Sequence, residues 1–384
     1  MTGIGILTLG VWYGLVVAVA SLGTSLGRRV RPSAHLNWSD QDQAREKALY
    51  LILTIFSVIG MATVLANAGG ISGFLAALNA TDANSLKEAT GGAAGLTTLR
   101  YTTAIAAPLG IHRLLRNRRG FTLAALNAVL LFLNAAVASR LSLLMAVMVL
   151  LYLLVTRPVG FRIRKRWILP GAAAVFGLLT LLNYTRNARY YEAAGVSDPV
   201  SMSIVQALTY LGTPFQVALG TANAIHFRGA TFSQPPDEWW TVLVPTFFRS
   251  EPRTGDATGT NRYSQFVDYN ASLTTNSAFA DTLATFGPWG LVASLVLIAS
   301  AALLFGHFAQ YGNGLALIPG VVLYGMAEYW RILLFSQGIF VYLVIATLIA
   351  ACAVAAFRGT PNRLREPDLG GGKLMDAVSP RSLS

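Results

Sequence analysis

The chain has 384 residues, 54% of them hydrophobic and 12% charged, where an average soluble domain carries about 25% charged residues. So few charges cannot solvate a globule this size, and apolar runs near the ~20 residues that cross a hydrocarbon core recur along it, which excludes a soluble protein. The net charge of +12 would suit nucleic acid, whose phosphates Lys and Arg neutralise. However, the basic residues cluster in short loops between apolar runs, so membrane lipids are expected as partners and nucleic acid is not.

Spans are predicted at 3–23, 48–68, 97–115, 120–138, 141–157, 168–184, 285–306, 314–330 and 336–357, which makes residues 1–357 one all-α transmembrane domain of nine helices. The first run, Ile4 to Leu22, has no basic residue ahead of it and its first arginine after it. That is the reverse of a signal peptide, so the run is expected to be retained with its N-terminus outside. The loops at 24–47, 111–119, 157–167 and 307–313 and the tail from 358 then face the cytoplasm. They hold 19 of the 29 Lys and Arg, the bias expected of cytoplasmic loops.

Two longer segments are expected outside, 69–96 and 185–284. Within the second, 203–225 is apolar but interrupted by Gly212, Pro214, Gly220 and several Thr, Gln and Asn. It is predicted as a broken, re-entrant or amphipathic helix on the external side, allowed where its backbone is buried in protein or lines a wet cavity. The Pro-, Gly- and Ser-rich tail 358–384 is expected to be disordered and cytoplasmic.

The single cysteine, Cys352, lies in the last apolar run, and the four histidines have no metal-ligand spacing, so neither a metal nor another cofactor is expected. Chemistry is expected from arginine instead. The ten basic residues outside the cytoplasmic loops are Lys87, Arg100, Arg140, Arg186, Arg189, Arg228, Arg249, Arg253, Arg262 and Arg331. The positive-inside rule gives no reason for them. Guanidinium is a planar donor fork that never deprotonates, so converging arginines suit a phosphate or diphosphate. Glu328 and Arg331, three apart, are expected on one helix face, either as a structural pair or as part of a site. Arg140 is an interfacial anchor or a ligand, and Arg186 and Arg189 are a solvated face or a ligand pair.

Four stretches carry a family resemblance: Ala68-Gly69-Gly70-Ile71-Ser72-Gly73-Phe74; Ala138-Ser139-Arg140-Leu141-Ser142; Val244-Pro245-Thr246-Phe247-Phe248-Arg249; and Thr275-Asn276-Ser277-Ala278-Phe279-Ala280-Asp281 with Thr285-Phe286-Gly287-Pro288-Trp289-Gly290. In this order, with Arg331 in the penultimate external turn, the chain resembles the oligosaccharide repeat-unit polymerases, the Wzy-type O-antigen polymerases. The Pro-Arg adjacency usual in that family is broken here. The resemblance implies a metal-independent glycosyltransferase of GT-C type in the bacterial cytoplasmic membrane. Its partners would be a lipid-linked (undecaprenyl-pyrophosphate) oligosaccharide donor, a lipid-linked acceptor and a chain-length regulator. Arg140, Arg186, Arg189, Arg249 and Arg331 would then stabilise the leaving diphosphate, and Asp281, Glu328 or Glu192 would take the acceptor's proton. An O-antigen ligase, kept open by His226 beside Arg228, and a lipid-linked glycan transporter are the alternatives. A transporter would line a path through both leaflets with charge, whereas the sequence places intramembrane charge near the outer end only.

Overall fold

The computed structural model describes residues 3–38, 43–79, 95–137, 141–157, 159, 168–193, 195–227, 236–244 and 277–356. Among these residues there is no strand. The helices are α1 (Gly3–Arg29), α2 (Gln43–Asn67), α3 (Gly70–Asn79), α4 (Thr103–Asn117), α5 (Phe121–Val137), α6 (Leu141–Thr156), α7 (Ile168–Ala193), α8 (Pro199–Phe227), α9 (Ala278–Phe308), α10 (Leu317–Ala327) and α11 (Gly338–Ala356). Short 3-10 segments at Leu96–Thr102 and Gly314–Ala316 lead into α4 and α10. Four stretches among the described residues are long and apolar enough to cross a membrane: Gly3–Arg29, Gln43–Asn67, Phe286–Phe308 and Gly338–Ala356. Leu7, Val11, Leu22 and Ile55 on the outer faces of α1 and α2 are exposed, as lipid-facing positions of a membrane protein are.

The bundle is held by close backbone approach. In α1 a Cβ added to Gly23 or Gly27 would run into the carbonyl oxygens of Ala299 and Leu303 in α9, and one added to Gly306 would meet that of Thr24. Gly23-x-x-x-Gly27 thus lets two helices meet with no side chain between them, which is how helices pack where lipid removes the hydrophobic drive for association. The rising pairs 23 with 299 and 27 with 303 make α1 and α9 parallel. Their C-terminal ends are sewn together by Gln310 Nε2, which donates to the carbonyls of Gly27 at 3.2 Å and Val30 at 3.0 Å. The end of the bundle where α1, α4, α6 and α9 finish carries the basic residues; it is called the basic end below.

Helix α10 is the buried axis, with every residue from Leu317 to Val322 enclosed. Counted from Gly314 to Ala327, it rises only about 21 Å, less than the ~30 Å hydrocarbon core. The chain therefore breaks before reaching the far end. Residues 328–337 are turn and 3-10, with Leu333, Leu334, Phe335 and Ser336 buried, the only setting in which irregular backbone survives at membrane depth.

Several predicted boundaries are corrected. Residues 96–102 are 3-10 rather than the start of an α-helical span, and Gly70–Asn79 is helical rather than loop. The predicted break within 203–225 is absent: α8 runs from Pro199 to Phe227 with Pro214 inside it. The helix persists through Gly212, Pro214 and Gly220. Its start follows the local code, with Asp198 accepting the Ser201 amide at 2.7 Å and Pro199 at the first helical position. The break instead occurs in α9, where Gly287 has φ 65° and ψ −168°, a conformation essentially restricted to glycine. The Phe286-Gly287-Pro288 stretch is a kink between two helical pieces of α9, and the apolar stretch that follows it, Phe286–Phe308, begins where the sequence predicted the entry to a span. The tail 358–384 lies outside the described residues.

Candidate functional site

The turn that ends α10 builds the site. Glu328 is the C-cap of α10, and its carbonyl accepts the amides of Arg331 at 2.9 Å and Ile332 at 2.8 Å. This turn curls the chain back so that Arg331 Nε donates to Glu328 Oε2 at 2.8 Å, with Nη2 also 2.8 Å away. The expected Glu328–Arg331 pairing is present, but a turn holds it and not a helix face. The other carboxylate oxygen, Oε1, accepts from the Tyr324 hydroxyl at 3.0 Å, one helical turn earlier. Arg331 Cζ lies 4.9 Å from the centre of the Tyr210 ring in α8, within cation–π reach. Both charged side chains are mostly enclosed, at 14% and 13% exposure.

The site is recessed. Tyr329 packs edge-on against Tyr13 of α1, with centroids 6.4 Å apart. Tyr13 stands ten residues into α1, so the turn lies roughly 15 Å below the first residue of that helix. Next to Tyr13, Trp12 meets Phe279 of α9 at 5.9 Å. Phe279 and Asp281 share the first turn of α9, which Ser277 caps by accepting the Ala280 amide at 3.4 Å. Asp281 therefore stands at the same end of the bundle as Arg331, with residues 12 and 13 of α1 between their turns.

The other predicted residues fare differently. Glu192 is exposed in the last turn of α7. Arg186 and Arg189 lie on the same helix, which does continue to Ala193, and their side chains are outside the described residues. Arg140, Arg249 and Arg228 also lie outside the described residues. The Ala138-Ser139-Arg140-Leu141-Ser142 step is pinned at its described end, where Asn134 Nδ2 donates to Ser142 Oγ at 3.1 Å and to Thr103 Oγ1 at 3.2 Å. Thr103 Oγ1 in turn donates to the Arg100 carbonyl at 2.8 Å.

Two features escaped the sequence reading. Tyr324 and Tyr210 flank the Glu328–Arg331 pair, and only Tyr324 carried a signal, its four-residue spacing from Glu328. The second is a buried charged cluster at the basic end. Glu46 is 2% exposed and accepts a short hydrogen bond from Arg116 Nη2, with Arg113 Nη1 4.0 Å away. Arg113 also lies over the Tyr50 ring at 5.7 Å. Arg157 is 6% exposed, and its carbonyl meets His112 Nε2 at 3.1 Å. Buried charge is therefore not confined to one end, as the sequence suggested. Between the two clusters lies the apolar core around Leu317, Ile318, Val321 and Val322 of α10.

Among the described residues no three His, Cys, Asp or Glu side chains stand together. Comparison with protein-family models, curated proteins and solved structures finds no match for this chain.

Proposed function

We propose that the chain is a metal-independent glycosyltransferase of the repeat-unit polymerase type, with a nine-span, GT-C-like topology in a bacterial cytoplasmic membrane. It would take a glycan from an undecaprenyl-diphosphate donor and pass it to a second lipid-linked repeat unit at the external face. The observation that carries this reading is Arg331: a guanidinium held in a recessed turn, oriented by Glu328 and the Tyr210 ring, at the end opposite the basic loops.

In the reaction the acceptor hydroxyl attacks the anomeric carbon, the bond to the diphosphate oxygen breaks, and the lipid diphosphate leaves with the electron pair. Arginine has five N–H donors. Glu328 engages the Nε and Nη2 edge, which leaves donors on Nη1 for the phosphate oxygens. A fork fixed before the charge develops is the electrostatic arrangement that lowers such a barrier. Both Glu328 oxygens already accept hydrogen bonds, so Glu328 positions Arg331, and Asp281 is the base that takes the hydroxyl proton.

The buried apolar α10 core between the charged clusters favours transfer at one face over the transporter alternative. The test uses purified protein in nanodiscs with lipid-linked repeat units. Arg331→Lys keeps the charge but loses the bidentate edge, so turnover should fall by roughly 10²-fold at an unchanged melting temperature. Wild-type turnover in that variant would refute the proposal.

A further inference from the structure

Arg100 belongs to no element of the site above, yet it shares its end of the bundle. It sits in the last turn of the 3-10 segment Leu96–Thr102, against Gly60 of α2. A Cβ added to Gly60 would fall on the Arg100 amide nitrogen, so the two backbones touch. Gly60 is seven residues short of Asn67, the end of α2, which sets Arg100 about 10 Å below that end. The segment is fixed on three further sides. Thr103 Oγ1 donates to the Arg100 carbonyl, Thr102 Oγ1 meets the Tyr342 hydroxyl of α11 at 2.5 Å, and Asn134 ties Thr103 to α5.

On this rigid platform the guanidinium has few partners. Nη2 donates to the Tyr101 hydroxyl at 3.2 Å, Cζ lies 5.0 Å from the Tyr101 ring, and the buried Nε has no hydrogen-bond partner among the described residues. No ion pair among the described residues includes it, whereas Arg331 has Glu328 and Arg113 has Glu46. An arginine at membrane depth is costly and persists by facing a partner or a functional cavity.

We propose that Arg100 holds the phosphate of a second lipid-borne anion, the diphosphate of the acceptor, while Arg331 holds that of the donor. The proposal rests on the function proposed above. A transferase that joins two lipid-linked glycans must seat two lipid diphosphates at one face, and the structure offers a second preset fork there. The hydroxyl and ring of Tyr101 orient the Arg100 fork much as Glu328 and Tyr210 orient that of Arg331.

The test is native mass spectrometry of the full chain with undecaprenyl diphosphate as probe, with phosphatidylglycerol as a separate arm. The wild type should retain two diphosphate lipids, Arg100→Gln one, Arg331→Gln one and the double variant none. In the polymerisation assay Arg100→Lys, which keeps the charge and guards against misfolding, should raise the acceptor KM about tenfold at an unchanged donor KM. A single diphosphate lipid that survives Arg100→Gln and is lost in Arg331→Gln overturns the proposal and leaves the proposed function standing. Retention of none by the wild type removes both. Loss of phosphatidylglycerol alone in Arg100→Gln also overturns it, by making Arg100 a phospholipid anchor.

Discussion

Glu46 and Glu328 are both acids beside arginine in a membrane protein, but their arginines come from different distances along the chain. Arg116 lies 70 residues from Glu46, so that pair and Arg113 tie α2 to α4. Arg331 lies three residues from Glu328, so that pair joins no two helices and serves only to aim one side chain. A long-range buried ion pair acts as a staple, and a local one acts as a mount. The first should show itself in stability and, on the function proposed above, the second in chemistry.

The largest expected effect tests the staple. Glu46→Ala leaves Arg113 and Arg116 beside an emptied, enclosed position, and removing one partner of a buried pair costs about 3–5 kcal/mol. Melting in detergent should show a large drop, while Glu328→Ala should cost much less, because the turn keeps its backbone hydrogen bonds from Glu328 to Arg331 and Ile332. Equal losses at the two sites would erase the distinction.

A smaller effect sharpens the mount. Asp281 and Phe279 are placed by the kink at Gly287, whose φ of 65° and ψ of −168° a Cβ makes strained. Gly287→Ala should therefore cost about 1–3 kcal/mol or straighten α9 and swing its first turn away from Trp12. Tryptophan fluorescence, combined with turnover, reports on that displacement. Unchanged stability together with unchanged turnover would show that the kink positions nothing.

What could be read from the sequence follows from what periodicity encodes. The runs in α1, α2, α11 and the Phe286–Phe308 part of α9 announced themselves because an apolar stretch of span length has few other fates. The charged cluster did not. Arg113, Arg116 and Arg157 look in sequence like any other loop charges, and only the packing of the helices brings Arg113 and Arg116 to Glu46 and encloses Arg157 beside His112. The Glu328–Arg331 pair was readable from its spacing, although the helix assumed to present it ends at Ala327. Gly212 and Pro214 looked like breakers but are carried through in α8, while Gly287 looked like a helix start and is both the kink in α9 and the start of its apolar stretch. Local composition marks where backbone is cheap to bend, and tertiary contacts decide where it does.

The smallest effect concerns an acid outside both clusters. Asp198 is exposed and caps α8, and the backbone N–H of Ser201, which it accepts at 2.7 Å, holds its carboxyl below the usual carboxylate range. A depressed folded-state value means the charged cap stabilises the helix at any pH above the unfolded value near 3.9 and is lost as pH falls through the folded value. Protection of the Ser201 amide against hydrogen exchange should thus be constant from neutral pH down to about 4 and decline below it. Asp198→Asn, which can still accept the bond, should remove the pH dependence and keep most of the protection. The decline should stay within the first turn of α8, because among the described residues Asp198 joins no two helices, as Glu46 does, and pairs with no arginine, as Glu328 does. Fading that spreads through α8 to Tyr210 would instead mean that the start of the helix is coupled to the Arg331 mount, and the contrast between staple and mount would need a third term.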